Sequence, residues 1–133
     1  MKKIVITGGL GYIGFELCKI YSGYSWNDKI TVIDNKFSSE RVNQLRKWNM
    51  NFVHGDIRDV ETINGICKNA DVIHHLAGIT DVPRVKSESN KSQDELIKEV
   101  AEVGTKNILD AMSYDCKIIM PSTHVIYEGL EKV

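Results

Sequence analysis

The feature that most constrains this chain is a cluster of four glycines near its start, in the run Gly8-Gly9-Leu10-Gly11-Tyr12-Ile13-Gly14. It follows a short β-branched segment, Lys3 to Thr7, and precedes an apolar-periodic one, Tyr12 to Tyr21. That context is a strand running into a helix through a turn. Gly9, Gly11 and Gly14 satisfy G-x-G-x-x-G, and Gly8 adds a further glycine. The early glycines suit a tight turn with positive φ. Gly11 would let the backbone approach a group that a Cβ would obstruct, and Gly14 would let helix and strand pack closely. The free N–H groups of the helix that follows then face an anion, of which a pyrophosphate is the natural example.

Asp34 stands twenty positions beyond Gly14, at the end of the second β-branched run. A carboxylate there accepts hydrogen bonds from both ribose hydroxyls of an adenosine and repels a 2′-phosphate, so NAD is expected in preference to NADP. Lys36 works against that preference, and a turn-forming role for Asp34-Asn35 stays open.

The remaining runs, Ile30 to Ile33, Asn51 to His54, Asp71 to His75 and Lys117 to Met120, read as strands separated by helical segments. The expected fold is α/β: a Rossmann-type doubly wound parallel sheet of about five strands, forming one domain over residues 1–133. Ser92-Gln93-Asp94-Glu95 has the form of a capping box opening a helix to Met112, with Leu96, Val100, Val103, Ile108 and Met112 on its apolar side. The irregular stretch Gly78 to Lys91, with Pro83, follows the fourth strand, where doubly wound sheets bind ligands.

A net charge of −1 with scattered basic residues argues against a nucleic-acid partner. No apolar run approaches the ~20 residues of a membrane span, and the cytoplasm is the expected location. Cys18, Cys67 and Cys116 lie more than 40 residues apart, which excludes a CxxC metal knuckle and favours buried free thiols. His74 and His75 adjoin on a strand and so point to opposite faces; no metal is expected there.

Thr7-Gly8-Gly9-Leu10-Gly11-Tyr12-Ile13-Gly14 resembles the TGxxGxxG signature of the extended short-chain dehydrogenase/reductases, the epimerase/dehydratase group. Gly55-Asp56-Ile57-Arg58-Asp59 is similar to the family's G-D-[IL]-R-[DN] segment, and His75-Leu76-Ala77-Gly78 to its H-x-A-[AG]. Pro121 to Tyr127 looks like the S-S-[ST]-x-x-V-Y-G segment after the fifth strand. The resemblance implies an NAD-dependent oxidoreductase that oxidises C4 of a nucleotide sugar, nearest to UDP-glucose 4-epimerase-like members. The alternative is a dinucleotide-binding module or fragment without activity of its own.

The cofactor contacts expected on this pattern are Gly8, Gly11, Tyr12, Ile13, Gly14, Asp34, Asn35, Asp56, Ile57, Leu76, Ala77, Gly78 and Ser122. Asp56 would bind the adenine amino group with Ile57 on the ring, and Ser122 would lie beside the nicotinamide. Thr123 takes the catalytic place of the Ser/Thr that bonds the reacting sugar hydroxyl.

Departures from the pattern are equally specific. The family's Tyr-x-x-x-Lys falls about 25 residues past the Thr123 position, whereas this sequence ends at Val133, and Glu131 stands four places after Tyr127. The C-terminal substrate domain is therefore expected to be lacking. Ala101 takes the place of an Asn, Pro121 that of a serine, and Glu128 intervenes before Gly129. A fifth strand without a sixth beside it would leave an apolar edge, through which self-association is expected.

Overall fold

The computed structural model describes residues 1–24, 27–79 and 91–122. In chain order the elements are β1 (Lys3–Thr7), α1 (Tyr12–Tyr24), β2 (Lys29–Asp34), α2 (Ser39–Lys47), β3 (Asn51–His54), α3 (Val60–Cys67), β4 (Val72–His75), α4 (Lys91–Ala111) and β5 (Lys117–Ile119). The strands form one parallel sheet in the order β3-β2-β1-β4-β5. The chain order reverses at β1, whose neighbours are β2 and β4, so a crevice opens above their carboxyl ends. The expected Rossmann-type sheet is the one observed.

Alternation along the strands feeds two cores, one on each face. Ile4, Ile6, Ile30 and Val32 join Leu10 and Cys18 with Val42 and Leu45 of α2. Val5, Ile33 and Ile73 point the other way, into Ile57, Ile63, Val100, Ile108 and Cys116. Local chemistry sets the element ends. Ser38 caps α2 by accepting from Arg41 N–H, and Asp59 caps α3 by accepting from Glu61 N–H. After α2, Asn49 takes the left-handed conformation (φ 59°) that lets Met50 N–H reach the carbonyl of Leu45.

Four expectations are corrected. Helix α4 begins at Lys91, so Ser92 lies inside its first turn and does not cap it. Leu96 and Val103 are exposed; the face of α4 turned to the sheet carries Val100, Gly104 and Ile108. Gly104 is a contact residue that hydrophobicity cannot flag, because a Cβ there would stand 2.2 Å from Ile57 Cδ1. Asp71 precedes β4, its carbonyl accepting from Lys117 N–H, and Met120 lies beyond β5. The stretch from Thr80 to Asn90, with Pro83, lies outside the described residues.

Candidate dinucleotide site

Every described candidate residue lies at the carboxyl end of a strand, in the turn beyond it or, for Tyr12, Ile13 and Gly14, in the first turn of α1. In the glycine turn each glycine has its own reason. Gly8 alone has positive φ (71°), and a Cβ on it would stand 2.8 Å from Cα and N of Ala77. Gly9 needs no special dihedral; its Cβ would lie 2.1 Å from Val32 Cγ1. Gly14 abuts Gly8, with 2.3 Å from its would-be Cβ to the Gly8 carbonyl oxygen. Gly11 differs from these: the only neighbour a Cβ would meet is the Gly8 oxygen at 3.2 Å. The space over Gly11 therefore faces out of the protein, as it must if an external group is to approach the backbone. The N–H groups opening α1 have no carbonyl in their own helix to donate to. Tyr12 and Ile13, at that helix start, are exposed (86% and 66%).

Asp34 closes β2 beside this turn. Its Oδ2 accepts from Leu10 N–H at 2.9 Å and its Oδ1 from Lys36 N–H at 2.9 Å. The carboxylate thus makes its own turn and holds the glycine loop, and each oxygen keeps a second lone pair for a ligand hydroxyl. The turn-forming reading and the ribose reading are compatible. Asn35 follows, its carbonyl 2.9 Å from His54 Nε2. Arg41, from the first turn of α2, was not among the expected residues. Its Nη1 donates to the carbonyls of Leu10 and Gly11, and its guanidinium lies 4.9 Å from the centre of the Phe15 ring.

Beyond β3, Asp56 and Arg58 form a forked ion pair with contacts of 2.8 to 3.2 Å. The Arg58 side-chain hydrogen bonds hold the Asp56 carboxyl below its ordinary range. Arg58 also reaches Glu99 of α4 at 3.1 Å. Asn107 donates to the carbonyls of Ile57 and Arg58 at 3.1 and 3.0 Å. Helix α4 thereby clamps the loop that carries Asp56. The side chain of Ile57 is 5% exposed and packs on Gly104, so most of its surface is already covered.

At the end of β4, Thr7 and His75 organise the turn. Thr7 Oγ1 accepts from both Leu76 N–H and Ala77 N–H at 3.1 Å, so its own hydrogen goes to His75 Nδ1, 2.8 Å away. That assigns the proton of the neutral ring to Nε2, which donates to Thr105 Oγ1 at 2.9 Å. Thr105 ties helix to strand close to the place where Ala101 offers no polar side chain. His74 faces the opposite side, its Nε2 paired with Tyr21 OH at 2.7 Å. The two histidines are apart as expected, and no group of metal-binding side chains occurs among the described residues.

Burial lowers the pKa of both histidines below the ordinary 6.5. The unfolded chain therefore binds more protons than the folded one just below that value, and stability is complete above it and falls with pH through it. The urea midpoint is expected to drop between about pH 7.5 and about pH 5.5; an equal or higher acid midpoint would contradict the neutral assignment.

Leu76 and Ala77 are half-buried and Gly78 is exposed, with no described residue within 4 Å of a would-be Cβ. A hollow of about 680 Å³, missed from sequence, runs from Leu76 and Ala77 past Thr105 and Leu109 to Met120 and Pro121. Ser122 is exposed at the same strand ends. Thr123 and Tyr127 lie outside the described residues.

Against known families, residues 5–128 match the model of the 3-beta hydroxysteroid dehydrogenase/isomerase family. The chain belongs to that family. The likeness to epimerases read from its motifs is also borne out. It is 32% identical to CDP-paratose 2-epimerase of Salmonella typhi over 98% of its own length, but spans 39% of that enzyme. Among solved structures, UDP-glucuronic acid 4-epimerase of Bacillus cereus, in complex with NAD and UDP-4-deoxy-4-fluoro-glucuronic acid, superposes with a TM-score of 0.78. It is 23% identical, with 97% of this chain and 42% of that one covered. ElxO with NADPH bound gives a TM-score of 0.76 at 22% identity, covering 98% and 59%. The fold thus occurs in structures with NAD and with NADPH bound.

Proposed function

We propose that this chain is the NAD-binding domain, residues 1–133, of a nucleotide-sugar epimerase/dehydratase-type oxidoreductase. The observation that carries the proposal is the glycine turn at the β1–β4 switch point, open over Gly11 and bordered by the Asp34 carboxylate, which Leu10 N–H holds in place. In this reading the pyrophosphate lies over Gly8, Gly11 and the Tyr12–Gly14 amides, and Asp34 with Asn35 takes the adenosine ribose. Asp56 and Ile57 bound the adenine, while Leu76, Ala77 and Gly78 line the dinucleotide towards Ser122.

NAD, when bound, would accept hydride from C4 of a nucleotide sugar. The contribution of this chain is to orient the dinucleotide, and Thr123 would hold the reacting hydroxyl. Similarity to CDP-paratose 2-epimerase supports the sugar-nucleotide substrate. A second reading is a dinucleotide-binding module without its own catalysis: Tyr127 cannot supply the family's Tyr-x-x-x-Lys pair, because Glu131 stands four places on. Activity that appears on adding a C-terminal partner polypeptide would decide for the split enzyme.

Calorimetric titration with NAD and NADP is the direct test. NAD should bind more tightly than NADP, and Asp34→Ala should weaken NAD by about tenfold or more. Gly11→Ala, whose Cβ meets so little protein, should keep the fold and lose binding. Retained NAD affinity in both variants would exclude the site.

The three buried free thiols suit a reducing compartment, and we place the protein in the cytoplasm. No helix among the described residues is long and apolar enough to cross a membrane. Strand β5 has no partner on its outer side among the described residues, and its last residue, Ile119, and Met120 beyond it are exposed. Sedimentation should show concentration-dependent self-association through this edge; a monomer at every concentration would refute it.

A further inference from the structure

The geometry points to Arg41 as a ready-made anchor for a 2′-phosphate, so that Asp34 alone sets the dinucleotide preference of this site. The inference rests on the dinucleotide reading above and adds a residue to it. Asp34 and Arg41 grip the same residue from opposite ends, the carboxylate taking Leu10 N–H and the guanidinium giving to Leu10 C=O. The two charges therefore stand within one residue of each other at the adenosine end of the turn.

They differ in what else they touch. Asp34 accepts two backbone N–H groups, which support its negative charge. The Arg41 side chain donates only to carbonyl oxygens and lies over an aromatic face; among the described residues it forms no ion pair. Only Nη1 is engaged in those hydrogen bonds, and a guanidinium carries five N–H donors, so its fork retains donors suited to a phosphate. The Phe15 ring and the two carbonyls hold it in place, which reduces the ordering cost of binding an anion. Lys36, two residues after Asp34, is exposed. A 2′-phosphate at this end of the turn thus meets one repelling group, Asp34, and one attracting group, Arg41. Neutralising Asp34 should reverse the preference without any positive charge being introduced.

The test uses 5′-AMP and 2′,5′-ADP, which differ only by the 2′-phosphate, together with NAD and NADP, on the wild type, Asp34→Asn, Arg41→Ala and the double variant. Asparagine keeps the shape of Asp34 and a carbonyl acceptor for Leu10 N–H while removing the charge, and thermal melts report whether each variant folds. Asp34→Asn should tighten 2′,5′-ADP by about tenfold or more over wild type, and adding Arg41→Ala should abolish that gain. Should Arg41→Ala fold poorly, Arg41→Lys supplies the same test, because it keeps a positive charge but loses the planar fork. It should retain only part of the gain.

Unimproved 2′,5′-ADP binding by Asp34→Asn in a chain whose wild type binds NAD would overturn the inference and leave the NAD site standing. A gain that survives in the double variant would also overturn it, leaving Arg41 as a brace for the glycine turn. A wild type that binds none of the four nucleotides, with an Asp34→Asn variant that binds none either, would remove both readings.

Discussion

Gly8→Val should leave the chain largely unfolded. The φ of 71° is strained for any side chain and worst for a β-branched one, and the new Cβ would meet the Ala77 backbone at 2.8 Å. Neither neighbour can give way. Ala77 N–H is bonded to Thr7 and Gly8 N–H to the carbonyl of Ile33, so a shift on either side breaks pairing between strands. Strain and overpacking together should cost roughly 3 to 6 kcal/mol, against a total stability of about 5 to 15 kcal/mol for a domain. Gly65→Ala is the matching control: it lies within α3 with nothing near its Cβ, and should gain about 0.5 to 1 kcal/mol. Urea denaturation of the two variants would check both. A Gly8→Val chain with wild-type stability would mean that the two turns do not approach as described.

Thr7→Val should be nearly as severe although the two side chains have almost the same shape. The hydroxyl sits at the centre of three polar groups, taking two N–H bonds and giving one to His75. The methyl that replaces it strands Ala77 N–H and His75 Nδ1 in a buried place and leaves Leu76 N–H only the Thr7 carbonyl, at a cost of about 2 to 4 kcal/mol. Thr7→Ser, which keeps the hydroxyl, should recover most of the loss. Equal stability of the valine and serine variants would show that this hydrogen-bond centre does not matter.

How far the sequence could be read depended on whether a feature was local. Strands β1 and β3 fall where alternation placed them, and the glycine turn lies where its motif put it, because both are set by neighbours within a few residues. The buried face of α4 was read in part: Val100 and Ile108 are buried and Met112 packs against the core, as expected. Counting apolar residues also selects Leu96 and Val103, which are exposed, and passes over Gly104, which leaves the space where Ile57 fits.

The site divides in the same way. Asp34 was legible from its distance beyond Gly14, but its hold on Leu10, which fixes the loop, was not. Arg41 was illegible altogether. Its partners lie 31 and 30 residues away, and nothing in the pattern around it marks an arginine that caps carbonyls instead of pairing with an acid. The proton position on His75 likewise follows only when Thr7, Thr105 and two backbone amides are seen together.

The sheet order has one more consequence, for the sequence of events in which the chain takes shape. Strand β1 leaves the ribosome first, yet it is the middle of the sheet, and its two partners arrive far apart in time. Ile4 pairs with Ile30 but also with Val72. Until β4 has been made, the face of Thr7 that will hold it has nothing to bind, and Gly8 has no backbone to lie against. Closing so long a loop is slow compared with forming a local turn. The glycine turn, made before both of its partner strands, should therefore be among the last parts of the described domain to reach its final form.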